Sequence, residues 1–476
     1  MSVLDGSDEF NKRLEHPWPG SSRKIVVAFA IGTESSQISY CTLEPGSCPR
    51  INLVTRHPFF ELVGTSNIPN IIYYDQSGRI KAIAAEALQE NIMELADENE
   101  WYKVERFRLY LVDRRKPKRL QGCDVSIDTD LPPLPPNKTA IDVFADFLAY
   151  LFSCTREYIT DTLPNGRSKW LTYVENDSID FVLSHPNDWD SKEQVWMRAA
   201  GVQAKLITDT DDGHARLSFV KQGEASLHFA SDLGLWAEND QTEDIVIVDV
   251  GTRILDFSTY RKKEGLTNSF YETAIPEFHP YGSMFVSFMA RSILEEHLKY
   301  SPFIEDLDHI VHCFNRSTKQ RFRSKEEFQY VKFGSTRDND EKVNIRFGQL
   351  KLLGSTVASF FKPSIDCIVE VIRGRQRSTT ISHVVLVGSL GLNSDWLFER
   401  VKAELNSSGV TVVRFERPSE SCLISGGAVS YYLDHYSRTQ TARRSYGEVT
   451  SGLYDDTNFG HVRPNSGTAF GVVRFG

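Results

Sequence analysis

Two segments of this 476-residue chain resemble each other at an offset of 219 residues, from Gly32 to Gly251. Ile25–Glu34 reads IVVAFAIGTE, and Asp244–Arg253 reads DIVIVDVGTR. Each is an apolar run of strand length that enters a Gly-Thr turn, and a second strand-like run follows it. A chain that contains this unit twice is expected to form two similar halves with a cleft between them. The repeat therefore predicts a duplicated α/β fold.

Strands alternate with helices along most of the chain, which is typical of an α/β architecture. The predicted strands are 25–31, 37–43, 68–74, 79–83, 181–186, 216–220 and 384–387. The predicted helices are 84–95, one that Thr139 caps, 191–201, one that opens at Gly223, 283–299, 395–405 and 426–435. The apolar positions of the helix after Thr139 recur at helical spacing: Ile141, Phe144, Phe147, Leu148 and Leu151.

The domain prediction has four parts. Residues 1–22 are expected to be a disordered tail, 23–237 a first lobe, 238–445 a second lobe and 446–476 a short C-terminal tail. The two halves are expected to meet near 235–244. The basic run at 114–119 is a nuclear localisation signal, a patch for an acidic partner or a solvated loop, and Pro117 favours the loop.

The composition disfavours two classes of partner. The chain has 64 acidic and 54 basic residues, and its formal net charge of −10 argues against nucleic acid and anionic membranes. No apolar run is long enough to span a bilayer, and residues 1–20 lack the apolar centre of a signal peptide. Seven Cys without a C-x-x-C motif fit reduced thiols. We expect a cytoplasmic protein, with the nucleus as the alternative.

Several motifs, in order along the chain, resemble the actin-like ATPase superfamily. They are most similar to the seventy-kilodalton heat-shock family, in its divergent fungal twelve-A-like branch, and the resemblance covers roughly residues 23–445. It rests on the two repeated segments and on NIIYYD at 70–75, VLSHP at 182–186, GEASLH at 223–228, VGS at 387–389 and GAVSYYL at 427–433. It implies a duplicated actin-like (ribonuclease H-like) two-lobed nucleotide-binding fold.

In that family the two hairpins grip the phosphates of ATP or ADP, a third turn holds the adenosine, and carboxylates organise Mg²⁺. The resemblance therefore implies nucleotide-binding residues at Gly32, Thr33, Glu34, Gly251, Thr252, Arg253, Lys319, Gly388 and Ser389. It implies metal ligands at Asp249, Asp256 and Glu224. Arg108 aligns loosely with a catalytic Lys, and Ser421 stands where an Asp is expected.

This chain departs from the family pattern at the residues nearest the chemistry. Ala30 replaces the Asp of the first hairpin, and Glu34 replaces a phosphate-binding Thr. The second hairpin keeps Asp249 and Asp256 but loses two Gly and a Thr, and Ser389 replaces a Gly of the third turn. A carboxylate about 4 Å from a phosphate charge costs roughly 1–4 kcal/mol. No catalytic residue is intact, so we expect impaired ATP hydrolysis.

The preferred interpretation is a heat-shock-like nucleotide-binding domain that acts as a binding or regulatory module for an unidentified protein partner. ATP or ADP is the expected ligand, and Mg²⁺ is doubtful. The tail at 446–476 is too short for a peptide-binding domain. The alternatives are a functional ATP-hydrolysing, chaperone-like ATPase with unusual phosphate contacts, and a sugar-kinase relative.

Structural roles remain open for the same residues. Gly32 and Gly251 can serve their turns alone, Asp249 and Asp256 can be surface acids, and Lys319 and Arg108 can be solvated. Glu34 and Arg253 occupy equivalent places in the two repeats. We therefore expect them to form an ion pair across the cleft.

Overall fold

The computed structural model describes most of the chain. The described residues are 3–4, 17–62, 66–111, 132–175, 177–235, 243–263, 269–415, 423–436, 449–450 and 471–472. The chain divides into two compact units, residues 1–431 and residues 432–476. The basic run at 114–119, Ser421 and most of the predicted tail at 446–476 lie outside the described residues.

The strands are numbered here in chain order. They are β1 (Val3–Leu4), β2 (Lys24–Ile31), β3 (Ser35–Leu43), β4 (Ile51–Leu53), β5 (Ile68–Pro69), β6 (Ile71–Tyr74), β7 (Ile80–Ile83), β8 (Tyr102–Glu105), β9 (Ile179–His185), β10 (Leu217–Lys221), β11 (Asp244–Val250), β12 (Leu255–Lys262), β13 (Phe270–His279), β14 (Gln329–Lys332), β15 (Ile345–Arg346), β16 (Gln349–Leu352), β17 (Ile381–Val387), β18 (Thr411–Phe415), β19 (Val449–Thr450) and β20 (Gly471–Val472). In the unit 432–476, β19 pairs antiparallel with β20.

The α-helices are α1 (Glu90–Glu98), α2 (Ala140–Thr162), α3 (Gly166–Glu175), α4 (Ser191–Gln203), α5 (Asp211–Ala215), α6 (Gln222–Asp232), α7 (Ser283–Leu298), α8 (Leu307–Arg316), α9 (Thr318–Arg321), α10 (Gly354–Arg375), α11 (Gly388–Asn393), α12 (Asp395–Asn406) and α13 (Leu423–Tyr436). Short 3₁₀ helices lie at Phe60–Leu62, Ala84–Leu88, Phe107–Leu111, Pro302–Ile304 and Glu341–Val343. Within the described residues, no helix has the length and apolar character needed to cross a lipid bilayer.

Two six-stranded sheets have five strands in the same order. The first sheet runs β10-β9-β2-β3-β4, with β5 beside β3, and the second runs β1-β18-β17-β11-β12-β13. In both, a hairpin stands near the middle, and its first strand is parallel to the neighbouring strand. The next strand is again parallel, and the opposite edge is antiparallel. The fold is thus mixed α/β, as the sequence predicted.

The two hairpins are closed at equivalent positions. In the first hairpin, β2–β3, Ile31 pairs with Ser36, and the Gly32 N–H donates to the Ser35 carbonyl at 2.9 Å. In the second hairpin, β11–β12, Val250 pairs with Leu255, and the Gly251 N–H donates to the Ile254 carbonyl at 3.1 Å. Each of these residues is 219 positions from its counterpart. The strand-turn-strand pattern predicted for both segments is therefore confirmed.

Helix α2 shows how an apolar stripe positions the first sheet. The Thr139 side chain accepts from the Asp142 N–H, and the Asp142 carboxylate accepts from the Thr139 N–H, which satisfies two donors at the helix start. Phe144, Phe147, Leu148 and Leu151 are buried in the core that includes Phe29 and Phe181 of the sheet. The cap and the buried face predicted for this helix are confirmed.

A second core lies under the second sheet. Val246 and Val248 of β11 pack with Val286 of α7 and Phe360 of α10. On the other face, α6 and α13 cover Ile245 and Ile247. Because both of its faces are covered, the central strand β11 is mostly apolar.

Two predictions for the N-terminal part of the chain need correction. Residues 1–22 were expected to be a disordered tail, but Val3–Leu4 pair with β18, and the Trp18 side chain is buried. The reason is that burial removes the large apolar surface of the indole ring from water, and the backbone N–H of Trp18 donates to the Ser47 carbonyl at 2.9 Å. The helix predicted at 84–95 is divided into a 3₁₀ helix and α1, because Gln89 is extended.

A helical glycine provides a test of this packing. Gly427 in α13 lies so close to α6 that a Cβ there would be 1.9 Å from the Ala225 carbonyl oxygen. We expect Gly427→Ala to lower the free energy of unfolding by about 2 kcal/mol or more, as overpacking does. Denaturant unfolding of the two proteins measures the difference.

The matched control is Gly374→Ala in α10, where a Cβ would meet no atom within 4 Å. This substitution should raise stability slightly, by up to about 1 kcal/mol, because Gly is a poor helix former. Equal effects of the two substitutions would contradict the close approach of α6 and α13.

Candidate functional site

A cavity of about 630 Å³ opens beside the two hairpins. It contains residues from both repeated segments and from the helices of the second sheet. The lining residues are Glu34, Arg106, Thr252, Ser283, Met284, Ser287, Phe288, Arg291, Val311, Asn315, Lys319, Gln320, Ser389, Leu390 and Asn393. Four of the predicted nucleotide-binding residues therefore line one cavity: Glu34, Thr252, Lys319 and Ser389. Gly32, Thr33, Gly251, Arg253 and Gly388 are sequence neighbours of these residues but are not part of the lining.

The first hairpin turn is held from outside by two side chains. The Arg108 guanidinium donates to the Ile31 carbonyl and to the Thr33 hydroxyl, both at 2.9 Å. The Asn70 amide donates to the Gly32 carbonyl at 2.8 Å. Arg108 is thus engaged with the turn and is not simply solvated. Sequence reasoning only loosely assigned Arg108 a role, and it missed Asn70 as a turn clamp, since neither is near the hairpin in the chain.

The second hairpin turn is covered by the start of α7. The N–H groups of Ser283 and Met284 donate to the carbonyls of Gly251 and Thr252, at 2.9 and 2.8 Å. Gly282 makes this approach possible, because a Cβ there would lie 2.5 Å from the Arg253 carbonyl carbon. A helix start offers unpaired N–H groups to anions. Here two of those donors are already used by the hairpin.

Lys319 joins α9 to α7 at the wall of the cavity. Its ammonium donates to the Ser283 carbonyl at 2.7 Å and to the Ser287 hydroxyl at 3.0 Å. The Ser287 hydroxyl in turn donates to Asn315 Oδ1 at 2.6 Å. Burial lowers the pKa of Lys319 to about 8, and the nearby Glu34 carboxylate opposes that shift. Lys319 is therefore buried and hydrogen-bonded, and the alternative of a solvated lysine is wrong.

Glu34 has a different ionic partner from the predicted one. Its carboxylate lies 3.9 Å from the Arg106 guanidinium, where the repeat predicted Arg253. The reason is local: Arg108 donates hydrogen bonds to the turn of the first hairpin, and this holds its near neighbour Arg106 close to Glu34. The Glu34 side chain is 54% exposed, so this pair contributes little to stability.

Asp249 and Asp256 face each other across the second hairpin and are not surface acids. They are direct partners in the β11–β12 ladder. Asp256 is 8% exposed and accepts from Asn187 Nδ2 at 2.8 Å. Burial raises the pKa of Asp256 to about 8, against the effect of the Asn187 hydrogen bond. Burial also raises the pKa of Asp249 to about 6, and the Arg108 guanidinium opposes this shift.

The equivalent positions of the first hairpin carry no carboxylate. There the ladder pairs Ala30 with Gln37, each 219 residues before its acidic counterpart. Ala30 is 4% exposed, and it pairs on its other side with Ser184 of β9. The hairpins share a backbone geometry, and only the second one has carboxylates at these two paired positions.

Asn187 links the Asp256 carboxylate to the start of α6. Its Nδ2 donates to Asp256, and its Oδ1 accepts from the Gly223 N–H at 3.1 Å. Glu224 follows in the first turn of α6, where its charge adds to the effect of burial in raising the pKa of Tyr260. Nothing in the sequence identified Asn187 as this link, because its partners are tens of residues away.

The predicted metal ligands do not form one compact group. Asp249 and Asp256 are paired, whereas Glu224 lies on the neighbouring helix. In the part of the chain that the structure describes, no group of three or more His, Cys, Asp or Glu side chains is placed to hold a metal ion. One feature does suit a cation: Asp249 Oδ1 is buried and has no hydrogen-bond partner among the described residues.

The third turn packs directly on the second hairpin. Gly388 has a φ of 78°, and a Cβ there would lie 2.1 Å from Asp249 Oδ1 and 2.8 Å from the Val250 carbonyl. Only glycine combines this backbone conformation with so close an approach. Gly388 thus brings its neighbour Ser389 to the cavity wall, beside Thr252.

This chain matches no protein-family model and no curated protein sequence. The resemblance described above therefore rests on the motifs alone. The geometry of the hairpins, the third turn and the cavity has to carry any functional conclusion.

The raised pKa of Asp256 predicts a pH effect on stability. The folded state binds its proton more tightly than the unfolded state, where the pKa is near 3.8. Stability from this group is therefore complete below about pH 4 and is lost as the pH rises towards about 8. We expect Asp256→Asn, which cannot ionise, to be more stable relative to wild type at pH 9 than at pH 5. Thermal unfolding at both pH values measures this.

An equal difference between wild type and Asp256→Asn at the two pH values would show that Asp256 does not titrate in this range. Asp338→Asn is a control on the same chain, since Asp338 caps an exposed turn through the Ser335 N–H. That variant should lower stability, and it should not become more stable relative to wild type between pH 5 and pH 9.

Proposed function

We propose that the chain is a duplicated actin-like, two-lobed nucleotide-binding domain, related to the seventy-kilodalton heat-shock family. It binds nucleotide weakly, hydrolyses ATP poorly or not at all, and acts as a binding or regulatory module towards a protein partner. The observation that carries the proposal is the shared cavity of Glu34, Thr252, Lys319 and Ser389. These residues come from four separate segments that the motifs had assigned to one ligand.

The matching sheets support the duplication. Five strands of each sheet have the same order and the same directions, and their hairpins have equivalent registers at an offset of 219 residues. Two separate strand arrangements would have no reason to share all of these features. The cavity lies where the two hairpin turns come together, which is the place expected for a ligand of such a fold.

The side chains at the hairpins support the loss of hydrolysis. Phosphoryl transfer depends on positioned metal ions and on a group that orients the attacking water. Ala30 supplies no carboxylate from the first hairpin. Burial raises the pKa of Asp256 to about 8, and a metal ion at this carboxylate would have to displace its proton. Each change reduces hydrolysis, even where a nucleotide still binds.

One observation favours the alternative of a working ATPase. The buried, unpartnered Oδ1 of Asp249 is the kind of oxygen that a cation satisfies. In that alternative Asp249, Asp256 and Glu224 would organise Mg²⁺, and Arg253 would contact phosphates. The buried carboxylates would then have to lose their protons when the metal binds.

Calorimetric titration with ATP·Mg²⁺ and ADP tests the proposal. We expect dissociation constants of roughly 100 µM or weaker, and no steady release of phosphate. The variant Ala30→Asp with Glu34→Thr should bind ATP about tenfold more tightly, because it adds a metal-side carboxylate and removes a repelling charge.

Glu105→Thr is the matched control for the loss of a negative charge, since Glu105 is a half-exposed, ion-paired Glu outside the cavity. It should leave ATP binding unchanged. Steady phosphate release by the wild-type protein would favour the working ATPase instead. Failure of every nucleotide and nucleoside to bind at millimolar concentration would remove the proposal altogether.

A further inference from the structure

We propose that the cavity selects nucleosides over nucleoside triphosphates, so that its ligand is a planar base with an uncharged sugar. This inference rests on the proposed function, because it names the ligand of the same cavity. It follows from which donors, charges and rings remain available at the cavity wall.

Four backbone donors next to the hairpin turns are already occupied. A phosphate chain is bound by N–H groups that point into the site. Here Gly32 and Gly251 donate to carbonyls within their own turns. The N–H groups of Ser283 and Met284 donate to the second hairpin. Phosphates that used these four groups would have to displace hydrogen bonds that hold the turns together.

The cations of the lining are each accompanied by a carboxylate. Arg106 lies 3.9 Å from Glu34, and Arg291 lies 3.0 Å from Asp308 and 3.2 Å from Glu295. Lys319 is close enough to Glu34 for the carboxylate to oppose the fall in its pKa. The positive charge of the wall is therefore largely balanced. A triphosphate would bring several negative charges close to Glu34, whereas a nucleoside brings none.

The rest of the wall suits a neutral, planar ligand. The Phe288 side chain is 52% exposed and belongs to an aromatic row in which Tyr281, Phe285 and Phe288 have ring centroids 4.9 and 5.8 Å apart. Such a supported ring is a platform for stacking a base. Val311 and Leu390 add apolar surface to the same cavity.

Polar side chains beside this ring can recognise the edge of a base or a sugar hydroxyl. The Ser287 hydroxyl donates to Asn315 Oδ1 at 2.6 Å, and this hydrogen bond fixes the orientation of the Asn315 amide group. Ser287 is itself fixed by Lys319 at 3.0 Å. Neutral donors and acceptors held in this way bind uncharged polar ligands without the need for a compensating charge.

Calorimetry with two ligand series tests the inference: adenosine, AMP, ADP and ATP, and the guanosine equivalents, each without metal and with Mg²⁺. We expect the nucleoside to bind most tightly in at least one series. Affinity should fall with each added phosphate, by about tenfold or more between nucleoside and triphosphate. Glu34→Gln should reduce this ratio several-fold, because it removes the repelling carboxylate and keeps the side-chain shape.

A second pair of variants locates the ligand. Phe288→Ala should weaken nucleoside binding about tenfold through the loss of stacking. Phe328→Ala removes an aromatic ring of similar exposure, 50%, that lies outside the cavity, and it should have no effect.

The outcomes separate this inference from the proposed function. Triphosphates that bind as tightly as nucleosides, or more tightly, would overturn the inference and leave the proposed function in place. Nucleoside binding that Phe288→Ala does not change would also overturn it. If no member of either series binds, both the inference and the proposed function fail.

Discussion

The second hairpin is the contact on which the arrangement of the site depends. Its turn carbonyls accept hydrogen bonds from the first N–H groups of α7. Its backbone packs closely against Gly282, and its Asp249 side chain packs closely against Gly388 of the third turn. Each contact requires a missing Cβ or a backbone donor, so the geometry tolerates little change. Helix α7, the third turn and β11–β12 therefore keep a fixed relation, and the cavity forms between them.

Burial of charge distinguishes the two hairpins. The second carries Asp249 and Asp256 in a setting where burial favours the protonated acids, whereas the first has Ala30 and Gln37 at the equivalent positions. A hairpin with two desolvated carboxylates is costly unless a proton or a cation compensates. The first hairpin avoids that cost, and it is held instead by Arg108 and Asn70. The same hairpin unit thus carries carboxylates in the second sheet and uncharged side chains at the equivalent positions of the first sheet.

Local patterns predicted some of the elements because their causes are local. The alternation of apolar residues, the Thr139 cap and the Gly-Thr turns act within a few residues, so several strands, α2 and both hairpins were anticipated. Helix α10 and strands β8, β13 and β18 were not predicted. Three features depend on contacts between distant segments and were missed: the buried Trp18, the Asn187 link, and Arg106 as the partner of Glu34. The residue types at those positions are ordinary, and no sequence spacing relates each residue to its partner.

The sequence by itself determined the mixed α/β class, the paired hairpins and the absence of a carboxylate at position 30. These follow from residue types and their periodicity, which are visible along the chain. Only the tertiary structure decided that Lys319 is buried, that burial raises the pKa of Asp256 and that the first two N–H donors of α7 are occupied. Desolvation and hydrogen-bond satisfaction depend on which distant groups surround a side chain, and that is settled by packing alone.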